Sequence, residues 1–140
     1  MTLPSHLILE IVTPERAIVH ETVDEAEIPG ADGYLGVLPG HTPLLVSLQV
    51  GELWFKQGEK KTYLSVAFGF AEILPDRIRI LAKNAEIANE IDIDRAEAAQ
   101  SRARERLVKT TMEVDLERAR IALMKSLIRL QVASKVSDRS

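Results

Sequence analysis

Cysteine is absent from this 140-residue chain, and aromatic residues make up only 4% of it. Without cysteine the chain has no disulfide bonds and no thiolate metal ligands, which is typical of a reducing compartment. So few aromatic rings exclude a stacking platform for nucleic acid, and no nucleic-acid partner is expected. No apolar run reaches the roughly 18 residues of a membrane-spanning helix. The first residues have no basic and apolar segments of the kind that make a signal peptide.

Motifs of catalysis are also missing. The three histidines, His6, His20 and His41, lie far apart in the sequence, which does not favour a metal site. The chain contains no phosphate-binding P-loop, no nucleophile elbow and no dinucleotide-binding glycine motif. The sequence therefore predicts a protein that is not itself an enzyme.

Charge is distributed unevenly along the chain, although the total is only −3. Residues 1–91 carry 7 Lys and Arg against 13 Asp and Glu, a net charge of −6. Residues 92–140 carry 11 against 8, a net charge of +3. An acidic first part and a basic second part indicate two surfaces that meet different partners.

The first part has the pattern of a β-domain. Residues 77–81 alternate between polar and apolar side chains, as a half-buried strand does, and the run 6–12 places Leu7, Leu9 and Ile11 on one face. Turn residues recur at short intervals, including Asp32-Gly33 and Pro75-Asp76. Eight to ten short strands in about 85 residues are typical of a β-sandwich or a flattened barrel.

The second part has the pattern of a helical hairpin. Residues 96–136 contain no glycine and no proline and consist mostly of good helix formers. Asp92 is suited to cap the first helix. For the second helix, Thr110 has capping-box spacing to Glu113, and Asp115 is the alternative cap. Small residues recur on the first helix, and leucines recur every seven residues on the second, so we expect the helices to pack against each other. The predicted contact residues are Ala96, Ala99, Ala103 and Leu107 on the first helix and Leu116, Ala119, Leu123, Leu127 and Leu130 on the second.

Cationic side chains form a row on each predicted helix, with spacings of seven and four residues. The rows are Arg95, Arg102 and Arg106 on the first helix and Arg118, Lys125 and Arg129 on the second. Guanidinium groups suit phosphate oxygens, so a nucleotide polyphosphate is one ligand to consider. An acidic protein surface is another, and a solvated basic face paired with nearby glutamates is the third interpretation.

The stretch Gly33–Leu44 is the most distinctive part of the sequence. Three glycines and two prolines interrupt a short apolar core, which indicates turns and close backbone approach. Pro39-Gly40 combines a fixed φ with a permissive residue and predicts a tight turn between two strands.

With these features, the chain resembles the epsilon subunit of a bacterial F-type ATP synthase, from Leu7 to about Ala133. The stretch Gly33–Leu44 matches the family pattern Gly-x-x-Gly-x-x-Pro-x-His-x-Pro-Leu. A β-domain followed by an alanine-rich helical hairpin matches the family's order. Residues 91–96 match its Ile/Leu-Asp-x-x-Arg-Ala motif. The family signature falls on Gly33, Gly36, Pro39, His41, Pro43 and Leu44.

The resemblance implies an α+β fold, with a ten-stranded β-sandwich in residues 1–88 and an antiparallel two-helix hairpin in residues 89–140. It implies a rotor subunit of the central stalk, which couples the catalytic head to the membrane c ring and regulates ATP hydrolysis through its helices. The expected partners are the gamma subunit, the c-subunit ring and, in the inhibited state, the alpha and beta catalytic subunits. The expected location is peripheral, at the cytoplasmic face of the cell (inner) membrane.

The resemblance implies no required cofactor and no metal, but in some members ATP binds the folded hairpin as a regulatory ligand. The matching residues here are Glu86, Asp92, Arg95, Ala96, Arg102, Arg118, Lys125 and Arg129. Lys125 stands where those members carry arginine; it keeps the charge but lacks the planar fork. The alternative hypothesis is a free-standing ATP-sensing module that uses the helical arginines without a rotor.

Overall fold

The computed structural model describes residues 4–137, which form eight strands followed by two α-helices. This order confirms the α+β class expected from the sequence. The strands are β1 Leu7–Val12, β2 Ala17–Val23, β3 Glu25–Gly30, β4 Gly33–Val37, β5 Leu44–Leu48, β6 Gly51–Gln57, β7 Lys60–Leu74 and β8 Arg77–Ile87. A 3₁₀ turn, Ala88–Glu90, precedes α1, Ile93–Lys109, and α2, Glu113–Ser137. The chain divides into two compact units, and the boundary between them lies between Ile87 and Ala88.

The first unit is a sheet folded into a sandwich. Its strands follow the order β2-β1-β8-β7-β5-β3-β4, and β6 pairs with both β3 and β7. β1 and β8 are parallel, whereas the other pairs are antiparallel. Alternate residues of these strands face a common core whose largest members are completely buried. These members are Leu7, Leu9, Ile11, Val23, Ile28, Val37, Leu53, Leu64, Val66, Ile73, Ile78 and Ile80.

The structure has eight strands in its described residues, so the expected number of ten is wrong. The difference arises from β7 and β8, which are 15 and 11 residues long. The first half of β7 pairs with β6 and the second half pairs with β5, while β8 follows it along both halves. Residues 61–66 and 68–74 are therefore parts of one continuous strand.

The change of partner along β7 occurs at Phe68 and Gly69, which have φ values of +62° and +123°. A bulky residue with positive φ is unusual and costs energy, so the surrounding sheet must hold it there. A Cβ atom on Gly69 would lie 2.0 Å from the carbonyl oxygen of Leu81. Glycine is thus required at this point by both the backbone conformation and the approach of the neighbouring strand.

The second unit is the helical hairpin. The carboxylate of Asp92 accepts a hydrogen bond from the backbone N–H of Arg95 at 3.1 Å, which confirms that Asp92 caps α1. Thr110, expected to cap α2, instead ends α1, because its N–H donates to the carbonyl of Arg106 at 3.0 Å. α2 packs along α1 and also contacts the 3₁₀ turn that precedes α1. The second helix therefore runs back antiparallel to the first.

Small side chains fill the contact surfaces of the hairpin. Ala96 and Ala103 are buried on α1, as the sequence pattern indicated. On α2 the predicted seam is only partly right, because Leu127 is 42% exposed. The buried residues of α2 are Ala119, Ser126, Val132 and Ala133.

Candidate functional site

The signature stretch between β4 and β5 forms a tight turn, as predicted. The N–H of His41 donates to the carbonyl of Leu38 at 3.2 Å, and Gly40 has a φ of +85°. Proline in the second position and glycine with positive φ in the third are the marks of a type II turn. The N–H of Gly40 donates to the carbonyl of Pro75 at 2.7 Å, which ties this turn to the β7–β8 turn.

The remaining signature residues lie on either side of the turn. Gly33 begins β4 with a φ of +131°, and Gly36 pairs with Glu27 of β3. Nδ1 of His41 donates to the carbonyl of Thr42 at 2.6 Å, so the ring is held against its own chain. Pro43 and Leu44 are exposed. The signature therefore shapes one end of the sheet and presents apolar side chains there.

An exposed apolar strip crosses the outer face of the sheet. It consists of Leu45 on β5, Phe70 on β7 and Leu81 on β8, which are 70%, 56% and 53% exposed. Phe70 lies directly opposite Leu81, and Leu45 is diagonal to Phe70 because Ser47 is the direct partner of Phe70. A groove of about 600 Å³ adjoins Phe70 and Leu81.

The sequence reasoning missed this strip, although a signal was present. The alternation of β8 breaks where Leu81 follows Ile80, and β5 begins with two successive leucines, Leu44 and Leu45. In a strand, two neighbouring apolar residues point to opposite faces, so one of them must face outward. An outward-facing row of large apolar side chains is typical of surfaces that contact another protein.

The residues proposed for nucleotide binding separate into groups. Asp92 is already used as the helix cap, and Ala96 is completely buried. Arg95 and Arg102 are exposed on α1, and Arg118 is exposed on α2. Lys125 and Arg129 are half-buried on the second half of α2, and Glu86 is half-buried near the end of β8. Each of these last three side chains, those of Lys125, Arg129 and Glu86, interacts with another group.

Arg102 and Arg118 meet in one groove near the turn of the hairpin, with a volume of about 710 Å³. Two more cations line the same groove. Arg106 belongs to the cationic row of α1 but not to the residues that the family resemblance assigns to ATP, and Lys109 belongs to neither set. Two carboxylates also lie there, those of Glu105 and Asp115. Members of both cationic rows, Arg102 and Arg106 from α1 and Arg118 from α2, thus line one groove.

Within residues 4–137, no cluster of three or more His, Asp or Glu side chains is placed to hold a metal ion. In the same part of the chain, neither helix has the combination of length and apolar character needed to cross a membrane.

Two family models match consecutive parts of the chain. Residues 6–88 match the beta-sandwich domain of the ATP synthase delta/epsilon chain, and residues 89–134 match the long alpha-helix domain of the same chain. Together these matches cover both units of the structure.

Two solved structures share the fold. A chain in the Euglena gracilis mitochondrial ATP synthase OSCP/F1/c-ring structure superimposes with a TM-score of 0.80 at 24% identity, covering 98% of this chain and 84% of that one. A chain in the Tetrahymena thermophila mitochondrial ATP synthase central stalk and c-ring structure superimposes with a TM-score of 0.66 at 11% sequence identity. The match covers 94% of this chain and 99% of that one.

Sequence similarity to known proteins extends over almost the full length of the chain. The ATP synthase epsilon chain of Solibacter usitatus is 47% identical over 133 residues, which are 95% of this chain and 99% of that protein. The epsilon chain of Syntrophobacter fumaroxidans is 46% identical over 127 residues, or 91% and 95% of the two chains. With the family models and these relatives in agreement, the chain belongs to the ATP synthase epsilon chain family.

Proposed function

We propose that this chain is a rotor subunit of an F-type ATP synthase, linking the catalytic head to the c ring and restraining ATP hydrolysis. Its β-unit docks on the rotor, its helices carry the regulation, and neither performs catalysis. In this role the chain is peripheral to the membrane, at its cytoplasmic face. The observation that carries the proposal is the exposed apolar strip of Leu45, Phe70 and Leu81, set in a unit whose fold matches chains of ATP synthase complexes.

The strip fits a subunit contact because its side chains are large, adjacent and fixed on paired strands. Isolated apolar residues on a surface are ordinary, whereas a contiguous row of them favours binding to another protein. The gamma subunit and the c ring are the expected partners on the rotor. In the inhibited state the basic hairpin meets acidic surfaces of the alpha and beta subunits, in keeping with the excess of cations in residues 92–140.

Docking is tested by replacing Phe70 with aspartate and measuring binding of the full chain to its gamma subunit by calorimetry. The buried charge should weaken the complex by about 30-fold or more, as expected for a residue at the centre of an interface. Val108→Asp is the matched control, since Val108 is an exposed apolar residue of the hairpin. Equal binding by the Phe70→Asp and Val108→Asp variants would contradict docking through the strip.

Regulation is tested by weakening the hairpin. Ala103 is buried in the hairpin and Ala98 is exposed on the same helix. An aspartate at position 103 places a charge in an apolar contact, so it favours the opened helices, whereas aspartate at position 98 remains in water. We expect Ala103→Asp to inhibit ATP hydrolysis by the reconstituted complex more strongly than wild type, and Ala98→Asp to match wild type. Unchanged inhibition by a soluble, assembled Ala103→Asp chain would contradict this mechanism.

ATP is the regulatory ligand that we propose for the folded hairpin. The support is that Arg102 and Arg118, from opposite helices, line one groove. Calorimetry with ATP on the wild type, Arg102→Ala and Arg129→Ala measures this directly. Micromolar binding that both variants lose would support nucleotide sensing, and no binding at millimolar ATP would contradict it.

A further inference from the structure

One side of β5 has almost no strand beside it. β5 pairs with β7 along its whole length, from Leu44 with Ile73 to Leu48 with Gly69. On its other side, the pairing with β3 is limited to Gly30 opposite Leu48 within the described residues. A cleft of about 550 Å³ opens beside the rest of β5, and we call this cleft the β5 slot. It is lined by residues 44–47 of β5 and by residues 30–35 of the β3–β4 hairpin.

Backbone groups of Leu45 point into the β5 slot. The carbonyl of Ser47 accepts a hydrogen bond from the N–H of Ala31 at 2.8 Å, on the β3 side. Gln49 also bonds on that side, through its N–H. In an antiparallel pair, the backbone groups of alternate residues point the same way. The N–H and C=O of Leu45 therefore face the β3 side as well, where no strand lies opposite them in the described part of the chain.

The β5 slot lacks the charged residues that usually protect an open strand edge. Proteins guard such edges because free N–H and C=O groups invite pairing with another chain. The outer strand β2 follows this rule, since Glu21 is exposed on it. Residues 44–47 are Leu-Leu-Val-Ser, with no charge among them. The open edge of β5 is therefore suited to accept a strand rather than to repel one.

We propose that the β5 slot receives an extended segment of the gamma subunit, which adds a strand beside β5. This mode of binding rests on the function proposed above and specifies how the partner is held. Leu45 links the two surfaces, because its side chain belongs to the exposed apolar strip and its backbone faces the slot. A partner that covers the strip thus comes within reach of the free N–H and C=O of Leu45. Main-chain hydrogen bonds then supply affinity, and alternate apolar side chains of the segment pack on Leu44 and Val46.

The test compares two substitutions of Leu45 in the full chain by calorimetry with the gamma subunit. Leu45→Ala and Leu45→Pro both remove the leucine side chain from the strip, but only proline removes the backbone N–H. The fold tolerates proline here, because this N–H does not bond to β7. We expect Leu45→Pro to bind at least about fivefold more weakly than Leu45→Ala, the effect of one hydrogen bond.

The outcomes separate strand addition from docking through the strip. Equal affinities of Leu45→Pro and Leu45→Ala overturn strand addition. If Phe70→Asp still binds more weakly than Val108→Asp in that case, docking through the strip stands without it. A wild-type chain that does not bind gamma overturns docking and strand addition together.

Amide hydrogen exchange of the wild-type chain provides a second readout that needs no substitution. The N–H of Leu45 should exchange rapidly in the free chain and be protected in the complex with gamma. The N–H of Val46 is the matched control, because it points to β7 and should be protected in both states. A Leu45 amide that stays unprotected in the complex overturns strand addition. Protection that appears without gamma and rises with chain concentration assigns the slot to a second copy of this chain, which also overturns it.

Discussion

The two units of this protein bury very different side chains. The sheet encloses large residues such as Leu53, Leu64 and Ile80, all of them completely buried. The hairpin instead buries mainly alanines, with Ser126 among them. Apolar burial contributes about 25 cal/mol per Å², so a contact between alanines is worth much less than a core of leucine and isoleucine. We therefore expect the sheet to resist opening more strongly than the hairpin does.

The largest effect is expected from Ile80→Ala in the sheet core. The lost contacts and the remaining cavity should lower the free energy of unfolding by about 2–5 kcal/mol. Urea denaturation followed by fluorescence measures this, because Trp54 is the single tryptophan and lies in β6. Leu45→Ala removes an exposed side chain and should change stability by only about 0.5 kcal/mol or less. Similar losses in the two variants would contradict the comparison between core and surface.

Gly69→Ala should have the next largest effect. The new methyl group would clash with the carbonyl of Leu81, and alanine does not favour the positive φ at this position. We expect a loss of at least about 1–3 kcal/mol, the range for a strained backbone position. Gly36→Ala is the control, since its Cβ would meet no atom within 4 Å. A Gly69→Ala chain as stable as Gly36→Ala would show that β7 is not held at this kink.

In the hairpin, Asp92→Ala removes the cap of α1. The N–H of Arg95 loses its carboxylate partner, which should cost about 1 kcal/mol of helix stability. Circular dichroism at 222 nm during thermal unfolding follows the helices and can be compared with fluorescence from the sheet. Asp94→Ala, in the first turn but not at the cap, should have the smaller effect. A shift in the sheet transition as large as that in the helices would mean that the two units do not differ in local stability.

The smallest effect is expected from Glu117→Gln. Its carboxylate lies 2.9 Å from Arg120, but both side chains are well exposed. Surface pairs of this kind contribute about 0.2–0.5 kcal/mol, and salt screens them. When helix unfolding is measured at low and at high salt, Glu117→Gln should differ in stability from the wild type only at low salt. A loss of stability that persists at high salt would indicate that the Glu117–Arg120 pair contributes more than Coulomb attraction that salt can screen.

Local chemistry allowed much of the fold to be predicted from the sequence. The Pro39-Gly40 turn and the Asp92 cap each depend on a few adjacent residues, and both are present. The continuity of β7 was not predicted. It depends on Phe68 adopting a positive φ, a conformation that the neighbouring strands hold and the local sequence does not favour. The role of Thr110 was also missed, since the same residue type can end one helix or begin the next.

The candidate sites were less predictable than the fold, because they depend on which helix and strand faces meet. Residue spacing placed Arg102 and Arg106 on one row, yet only the folded hairpin shows that Arg118 shares their groove. Likewise, Leu81 visibly breaks the alternation of its strand, but only the strand pairing shows that it lies opposite Phe70.

The long pairing of β7 with β8 has a mechanical consequence. The two strands face each other at ten positions, from Leu64 with Ile87 to Leu74 with Arg77. A pull along the strands loads their hydrogen bonds in shear, so many bonds must break together rather than one at a time. We therefore expect the sheet to resist stretching along this direction, a property that would suit the rotor role proposed above.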